Sequence, residues 1–172
     1  SLDHVGPITK TVMDASILLE AISGYDSKDQ TSSKRQPGNY VSNLSKDLSG
    51  IKIGYISEII NNEYMNISVK RKFEDAIKIF EKIGMIVEEV SMPWIKYGRT
   101  IGGTIIQTEA SFHLWPLVEN RIDSIGSDVR RKLEVGRIIT ASDYIQAQKI
   151  RGLLIEDMDR IFKEYKLLFS PT

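Results

Sequence analysis

Few residues of this chain have types and spacings suited to chemistry. The histidines are His4 and His113, far apart in sequence, and neither has a second ligand at metal-binding spacing. No cysteine is present, which excludes disulfides, thiolate nucleophiles and Cys-ligated metals and fits a reducing compartment, so a cytoplasmic protein is expected. The glycines of YGRTIGGT (97–104) lack the GxxxxGK[ST] phosphate loop, and no strand leads directly into them as a dinucleotide fingerprint requires. Close helix packing is the simpler use for them. Ser and Lys stand together in TSSKR (31–35), but without a glycine scaffold to hold an oxyanion donor, so this stretch reads as solvated polar surface. His113 falls in TEASFHLW, a helical segment, where a structural or hydrogen-bonded histidine is the expectation. No metal and no cofactor is implied.

Arg151 is more informative. Tyr144, Ala147, Arg151, Leu154, Met158, Ile161 and Tyr165 follow the alternating three and four step of a buried helical stripe. A guanidinium in that frame must find a carboxylate, a backbone carbonyl or a ligand anion, because an unpaired buried charge costs several kcal/mol. Two uses stay open: a salt bridge or a snorkelling surface group, and a cation facing a substrate.

The elements that would carry these residues follow from periodicity and end signals. Thr11 with Asp14 reads as a capping box, and Val12, Ala15, Leu18, Leu19 and Ile22 recur at helical spacing before Gly24. Residues 25–50 are polar and punctuated by Pro37 and Gly38, a long surface connection. IKIGYI (51–56) and MIVEEVSM (85–92) are strand-like. Between them, SVKRKFEDAIKIFEKIG (68–84) places Val69, Phe73, Ala76, Ile77 and Phe80 on one helical face. Residues 51–92 therefore predict a βαβ unit with parallel strands and a right-handed crossover.

After Pro93 the pattern is mostly helical: about 99–118, then 128–136, then a long helix opened by a second capping box, Thr140 with Asp143, and running to about Tyr165. KLLFS (166–170) reads as a buried strand close to the last residue. A well-capped helix near one end and a buried strand at the other predict that both ends are cut from something larger. The segment 93–165 is thus a helical region and 166–172 a truncated strand.

The composition suits a globular domain with a real core: 172 residues, 41% hydrophobic and 27% charged. Lys plus Arg and Asp plus Glu both number 23, a balance that favours neither nucleic acid nor anionic membrane. Small molecules and proteins remain as partners, and no apolar run is long enough to span a bilayer.

These residues carry a resemblance. SLDHVGPITKTVMDASILLEAISGYD (1–26) is similar to the segment after the Gly/Ser-rich signature in the amidase signature family, where a Leu-Asp-x-x-Gly-Pro stretch leads into an amphipathic helix. The likeness continues through EASFHLW, IGSDVRRKLEVGRIITASDYIQAQKIR and LLFSPT, in order, over nearly the whole chain. It implies an α/β fold, a βαβ-containing fragment of the amidase signature fold with a mixed, largely parallel sheet flanked by helices. Residues 1–172 would be one partial domain, with 1–24 the helix after the signature segment.

In that family a lysine and two serines perform acyl transfer, and all three precede the Leu-Asp-x-x-Gly-Pro segment; no GGSSGGS-type run occurs here. The resemblance implies amide hydrolysis by the complete protein without a cofactor, no catalytic residue in this chain, and an inactive fragment. Its helices after the βαβ unit help cover a substrate channel, so Arg151 and Tyr144 are the substrate-proximal candidates, followed by His113 and Pro171. A small-molecule amide is the implied partner, and exposed sheet edges imply self-association. The wording SLDHVGP is closer to the general amidases than to the tRNA-dependent amidotransferase subunits. The competing reading is a self-contained, non-catalytic α/β binding or interaction module.

Overall fold

A computed structural model describes residues 1–30 and 32–171 of the chain. Thr31, which opens the TSSKR stretch, and Thr172, which ends the terminal segment, lie outside the described residues. The chain divides into two compact units, Asp3–Asp47 on the one hand and Ser1–Leu2 with Leu48–Thr172 on the other.

In the smaller unit, α1 (Val12–Ile22) starts at Thr11, whose hydroxyl oxygen accepts from the Asp14 amide at 3.0 Å. Only this half of the expected capping box forms. The connection read over 25–50 contains a single helical turn, α2 (Tyr40–Asn43), held to α1 by the Val41 amide donating to Glu20 at 2.8 Å. The apolar side chains of α1 are not gathered into a core of their own: Val12, Met13, Ile17, Leu18 and Ile22 are exposed, and Ser16 is the buried residue.

The larger unit is built on the expected βαβ core. β1 (Lys52–Ile56) and β2 (Ile86–Val90) pair in parallel from Lys52↔Ile86 to Ile56↔Val90, with α3 (Ser57–Ile60) and α4 (Ile67–Lys82) between them. Asn66 opens α4 by accepting from the Ser68 amide, and Gly84, at φ +89°, supplies the left-handed residue that lets the chain leave α4 for β2. A short 3-10 turn, Pro93–Tyr97, then leads into α5 (Gly98–Val118), α6 (Ser127–Ile138) and α7 (Ala141–Ile161).

The chain returns to the sheet as β3 (Leu167–Leu168), parallel to β1 on the side away from β2, giving the order β2-β1-β3. Among the described residues the sheet is wholly parallel rather than mixed. The sequence reading overextends two elements here. α7 ends at Ile161 rather than near Tyr165, and the buried strand of 166–170 shrinks to two residues, of which Leu167 is exposed. Tyr165 leaves the helix so that its ring can cover Gly54 and its hydroxyl can donate to Glu88 at 2.7 Å.

Because β1 is central, its side chains meet helices on both faces. Tyr55 lies edge-on to Phe73 of α4, and Phe73 stacks on Phe169 with centroids 4.7 Å apart. On the opposite face Ile56 packs with Ile161 and Tyr165 beyond α7, and with Met92. A parallel strand buried on both sides reads as a nearly continuous apolar run, as IKIGYI does. Burying a side chain of the size of Phe73, 4% exposed, contributes about 1.5–3 kcal/mol.

Candidate functional site

Two helices of the larger unit bring the polar candidates together. α5 and α7 pack through Ile101, Ile105 and Ala147, with Ile105 fully buried; the small Ala147 lets the two helices approach. The register of α7 is set at its first turn, where the capping box is complete: Thr140 Oγ1 accepts from the Asp143 amide at 3.2 Å and Asp143 accepts from the Thr140 amide at 3.1 Å. Hydrogen bonds from the Thr140 hydroxyl and amide hold the Asp143 carboxyl below its ordinary range. From that fixed start Tyr144, Gln148 and Arg151 fall on one face of α7, three and four residues apart.

Glu109 of α5 is the centre of the cluster. It continues the stripe of Ile101 and Ile105 at four-residue steps, so helical geometry points its carboxylate at α7. Its Oε1 accepts from the Tyr144 hydroxyl at 2.8 Å and from the Ser1 hydroxyl at 2.7 Å, while the Ser1 main-chain nitrogen donates to Oε2. Gln148 Nε2 donates to the Tyr144 hydroxyl at 2.9 Å. Arg151 joins through Ser1: its NH1 donates to Ser1 Oγ at 3.2 Å and its NH2 to the Ser1 carbonyl at 3.3 Å.

Electrostatics follow from these contacts. Desolvation pushes the Glu109 carboxyl up, but the bonds from the Ser1 nitrogen, a charged amine in this 172-residue chain, from the Ser1 hydroxyl and from the Tyr144 hydroxyl outweigh it and hold the group at about 2. The same bond to Glu109, with burial, raises Tyr144, so that its phenol remains a proton donor at neutral pH. Arg151 is half-buried, and among the described residues no carboxylate lies within ion-pair distance of it. Its hydrogen-bond partners are a neutral hydroxyl and a carbonyl. The salt bridge is therefore absent among the described residues, which leaves the snorkelling surface group and the substrate-facing cation as its expected uses.

A cavity of about 450 Å³ opens beside this cluster, lined by Ser1, Thr108, Glu109, Phe112, His113 and Tyr144. His113 reaches it from one turn beyond Glu109. Its imidazole is exposed and lies edge-on to Phe112 at 5.0 Å. Three of the four expected residues, Arg151, Tyr144 and His113, thus gather at or next to one cavity. Pro171 does not. It lines a separate, more apolar cavity of about 570 Å³ with Val69, Phe73 and Phe169, between α4 and the end of β3.

Ser1 Oγ faces a carboxylate, but one held at about 2 is too weak a base near neutral pH to activate a hydroxyl. Among the described residues no group of three His, Asp or Glu side chains gathers to hold a metal, and no helix is long and apolar enough to cross a membrane.

Sequence reasoning missed Glu109, Ser1 and Gln148. Glu109 was within its reach, since it interrupts the apolar stripe of α5 just as Arg151 interrupts that of α7. Two opposite charges placed on two buried stripes are a signal that the stripes face each other. Ser1 carries no such mark, because nothing local shows that the start of the chain lies against helices more than a hundred residues away.

Comparison with known proteins bears on what this cluster belongs to. Residues 1–172 match the Amidase family throughout. The chain belongs to the amidase signature family. A glutamyl-tRNA(Gln) amidotransferase subunit from Halothermothrix orenii is 37% identical over an alignment of 196 positions, which includes all of this chain and 41% of that protein. The chain therefore spans about two fifths of the length of such curated relatives. An alignment longer than the chain also means that the relative carries segments this chain lacks.

Among solved structures, the corresponding glutamyl-tRNA(Gln) amidotransferase subunit from Thermotoga maritima superposes with a TM-score of 0.71 at 30% identity, over 97% of this chain and 38% of that one. A bacterial aryl acylamidase of the amidase signature family gives a TM-score of 0.76 over 93% of this chain and 34% of that one. At 20% identity that likeness speaks for the fold alone. The expectation of an amidase signature α/β fold, with a parallel sheet flanked by helices, holds. The expectation from SLDHVGP is a general amidase, whereas these curated relatives are named as amidotransferase subunits, and both kinds stand among the solved neighbours.

Proposed function

We propose that the chain is the substrate-side part of an amide-cleaving enzyme that acts on a small carboxylate-bearing amide, with the bond-breaking residues outside these 172 residues. In this reading a serine oxygen elsewhere in the protein, activated by a lysine through a second serine, bonds to the amide carbon. The C–N bond breaks, nitrogen leaves as ammonia or amine, and water releases the acid. Arg151, Tyr144 and His113 face the substrate, while Pro171 lines a separate cavity.

The observation that carries the reading is the state of Arg151. Among the described residues this half-buried guanidinium bonds to a neutral hydroxyl and a carbonyl and has no carboxylate within ion-pair distance, and a planar fork of donors suits a carboxylate. Tyr144, its proton held by Glu109, stands beside it as a neutral wall of the same cavity. The complete protein works as a cytoplasmic enzyme without a cofactor, and the outer edges of β2 and β3, unpaired among the described residues, let the isolated chain self-associate.

The test compares the 172-residue chain with the full product of its gene on succinamate, propionamide, benzamide and p-nitroacetanilide, following release of acid and nitrogen. The reading expects turnover by the full product, favouring succinamate over propionamide, and none by the isolated chain. Turnover by the isolated chain, or indifference to the carboxylate, contradicts it. A role within an amidotransferase is favoured by the 37% identical relative. It predicts that hydrolysis is slow until an acceptor for the released nitrogen is present.

A further inference from the structure

We infer that Glu109 is a positioning residue that sets the orientation of Arg151 and Tyr144 toward the substrate; this rests on the reading of Arg151 given above. No contact joins Glu109 to Arg151 directly. The link runs through Ser1, whose hydroxyl donates its one proton to Glu109 Oε1 at 2.7 Å and, with both lone pairs then free, accepts from Arg151 NH1 at 3.2 Å. The direction of that bond is decided by the carboxylate. An ionised Glu109 can only accept, so the Ser1 proton points to it and the oxygen turns to the guanidinium.

On the other side the same Oε1 accepts the Tyr144 proton at 2.8 Å, which fixes the phenol and leaves its oxygen to accept from Gln148. One carboxylate oxygen thus aligns a hydroxyl on each of two elements, and each hydroxyl serves a group proposed to meet the substrate. Glu109 also lines the cavity, and its side chain is only 22% exposed, so solvent competes poorly for these lone pairs.

Glu109→Gln keeps the shape and one acceptor but puts an amide donor where a carboxylate oxygen was, which turns the Ser1 hydroxyl away from its present arrangement. In the full-length protein, binding of succinamate is measured by calorimetry, so that a dissociation constant is obtained apart from turnover, and KM and kcat are measured on the same compound. Glu109→Gln is expected to weaken binding and raise KM about tenfold with kcat changed less, and in combination with Arg151→Met to add nothing beyond Arg151→Met alone. Ser1→Ala, which removes only the relay hydroxyl, is expected to weaken binding in the same direction and serves if Glu109→Gln does not fold.

Absence of wild-type binding, or an Arg151→Met protein that binds succinamate as well as wild type, overturns the reading of Arg151 and this inference with it. Weakened binding in Arg151→Met beside unchanged binding in Glu109→Gln, or effects that multiply in the double variant, overturns the positioning role alone.

Discussion

Replacing Gly136 by Ala is a sharp test of how α5 is held in place. Gly136 lies where α6 crosses α5, and a Cβ built there would stand 2.0 Å from the carbonyl oxygen of Gln107, 2.6 Å from its carbon and 2.7 Å from Ser111 Cβ. Two of these atoms are helix backbone and cannot rotate away, so α6 must retreat by about an ångström or more to reach ordinary contact. Overpacking of this kind costs about 1–3 kcal/mol.

The retreat also strains the bond from the Ser111 hydroxyl to the Leu133 carbonyl, 2.9 Å, worth about 1 kcal/mol. Against this, alanine is the better helix former by about 1 kcal/mol. The net expectation is a loss of about 2 kcal/mol. Gly152 of α7 is the control, since a Cβ there meets nothing within 4 Å, and the same substitution should gain about 1 kcal/mol from propensity alone.

Urea unfolding of the 172-residue chain measures both. With a slope of about 1–3 kcal/mol per molar, the two variants should move the midpoint in opposite directions and differ by about one molar or more. A Gly136→Ala protein as stable as wild type, or shifted the same way as Gly152→Ala, would refute the account of the α5–α6 contact.

In the 172-residue chain, whose Ser1 nitrogen is a charged amine, Glu109 predicts an acid dependence: its folded value of about 2 lies below the ordinary 4.5, so its stabilising contribution is complete above the ordinary value and is lost as pH falls from about 4.5 toward 2. Stability measured by urea unfolding across that range should fall less steeply in Glu109→Gln than in wild type; parallel curves would contradict this. Thr140→Ala removes the hydroxyl of the α7 capping box and should cost about 1 kcal/mol in the same assay, whereas Thr140→Ser should cost little. Glu58→Ala should cost about 1–3 kcal/mol, because the Glu58 carboxylate accepts from Ser91 Oγ at 2.6 Å and the Met92 amide at 3.0 Å and so ties the end of β1 to the turn after β2. An unchanged midpoint would show that water replaces those bonds without loss.

The parts of this fold that are legible in the sequence are those decided locally. The βαβ core is one: a β-branched run, a helical stripe from Val69 to Phe80, a glycine at the required left-handed position and a second run all agree. The Thr140–Asp143 box is another, since both partners lie within one turn. What fails is what distant residues decide. KLLFS has the composition of a full strand, yet two residues suffice before Phe169 turns to stack on Phe73, and Tyr165 leaves its helix for a contact with Glu88. At the site, Arg151 and Tyr144 announce themselves by interrupting or lining a stripe, while the role of Ser1 exists only once the chain has folded back on α5 and α7. Pro171 joins them only through the family resemblance and stands in another cavity.

The central claim, that Arg151 faces the substrate, is tested most directly by Arg151→Met in the full-length enzyme, comparing Tm and kcat/KM with wild type. Methionine keeps much of the aliphatic stem and removes the charge. Since the guanidinium bonds to a hydroxyl and a carbonyl, the change strands no carboxylate among the described residues and folding should be little affected. Loss of a charged hydrogen bond of about 2 kcal/mol should lower kcat/KM for a carboxylate-bearing amide roughly thirtyfold. A large fall in Tm with near-normal kcat/KM in the protein that remains folded would contradict the account and leave Arg151 as part of the scaffold.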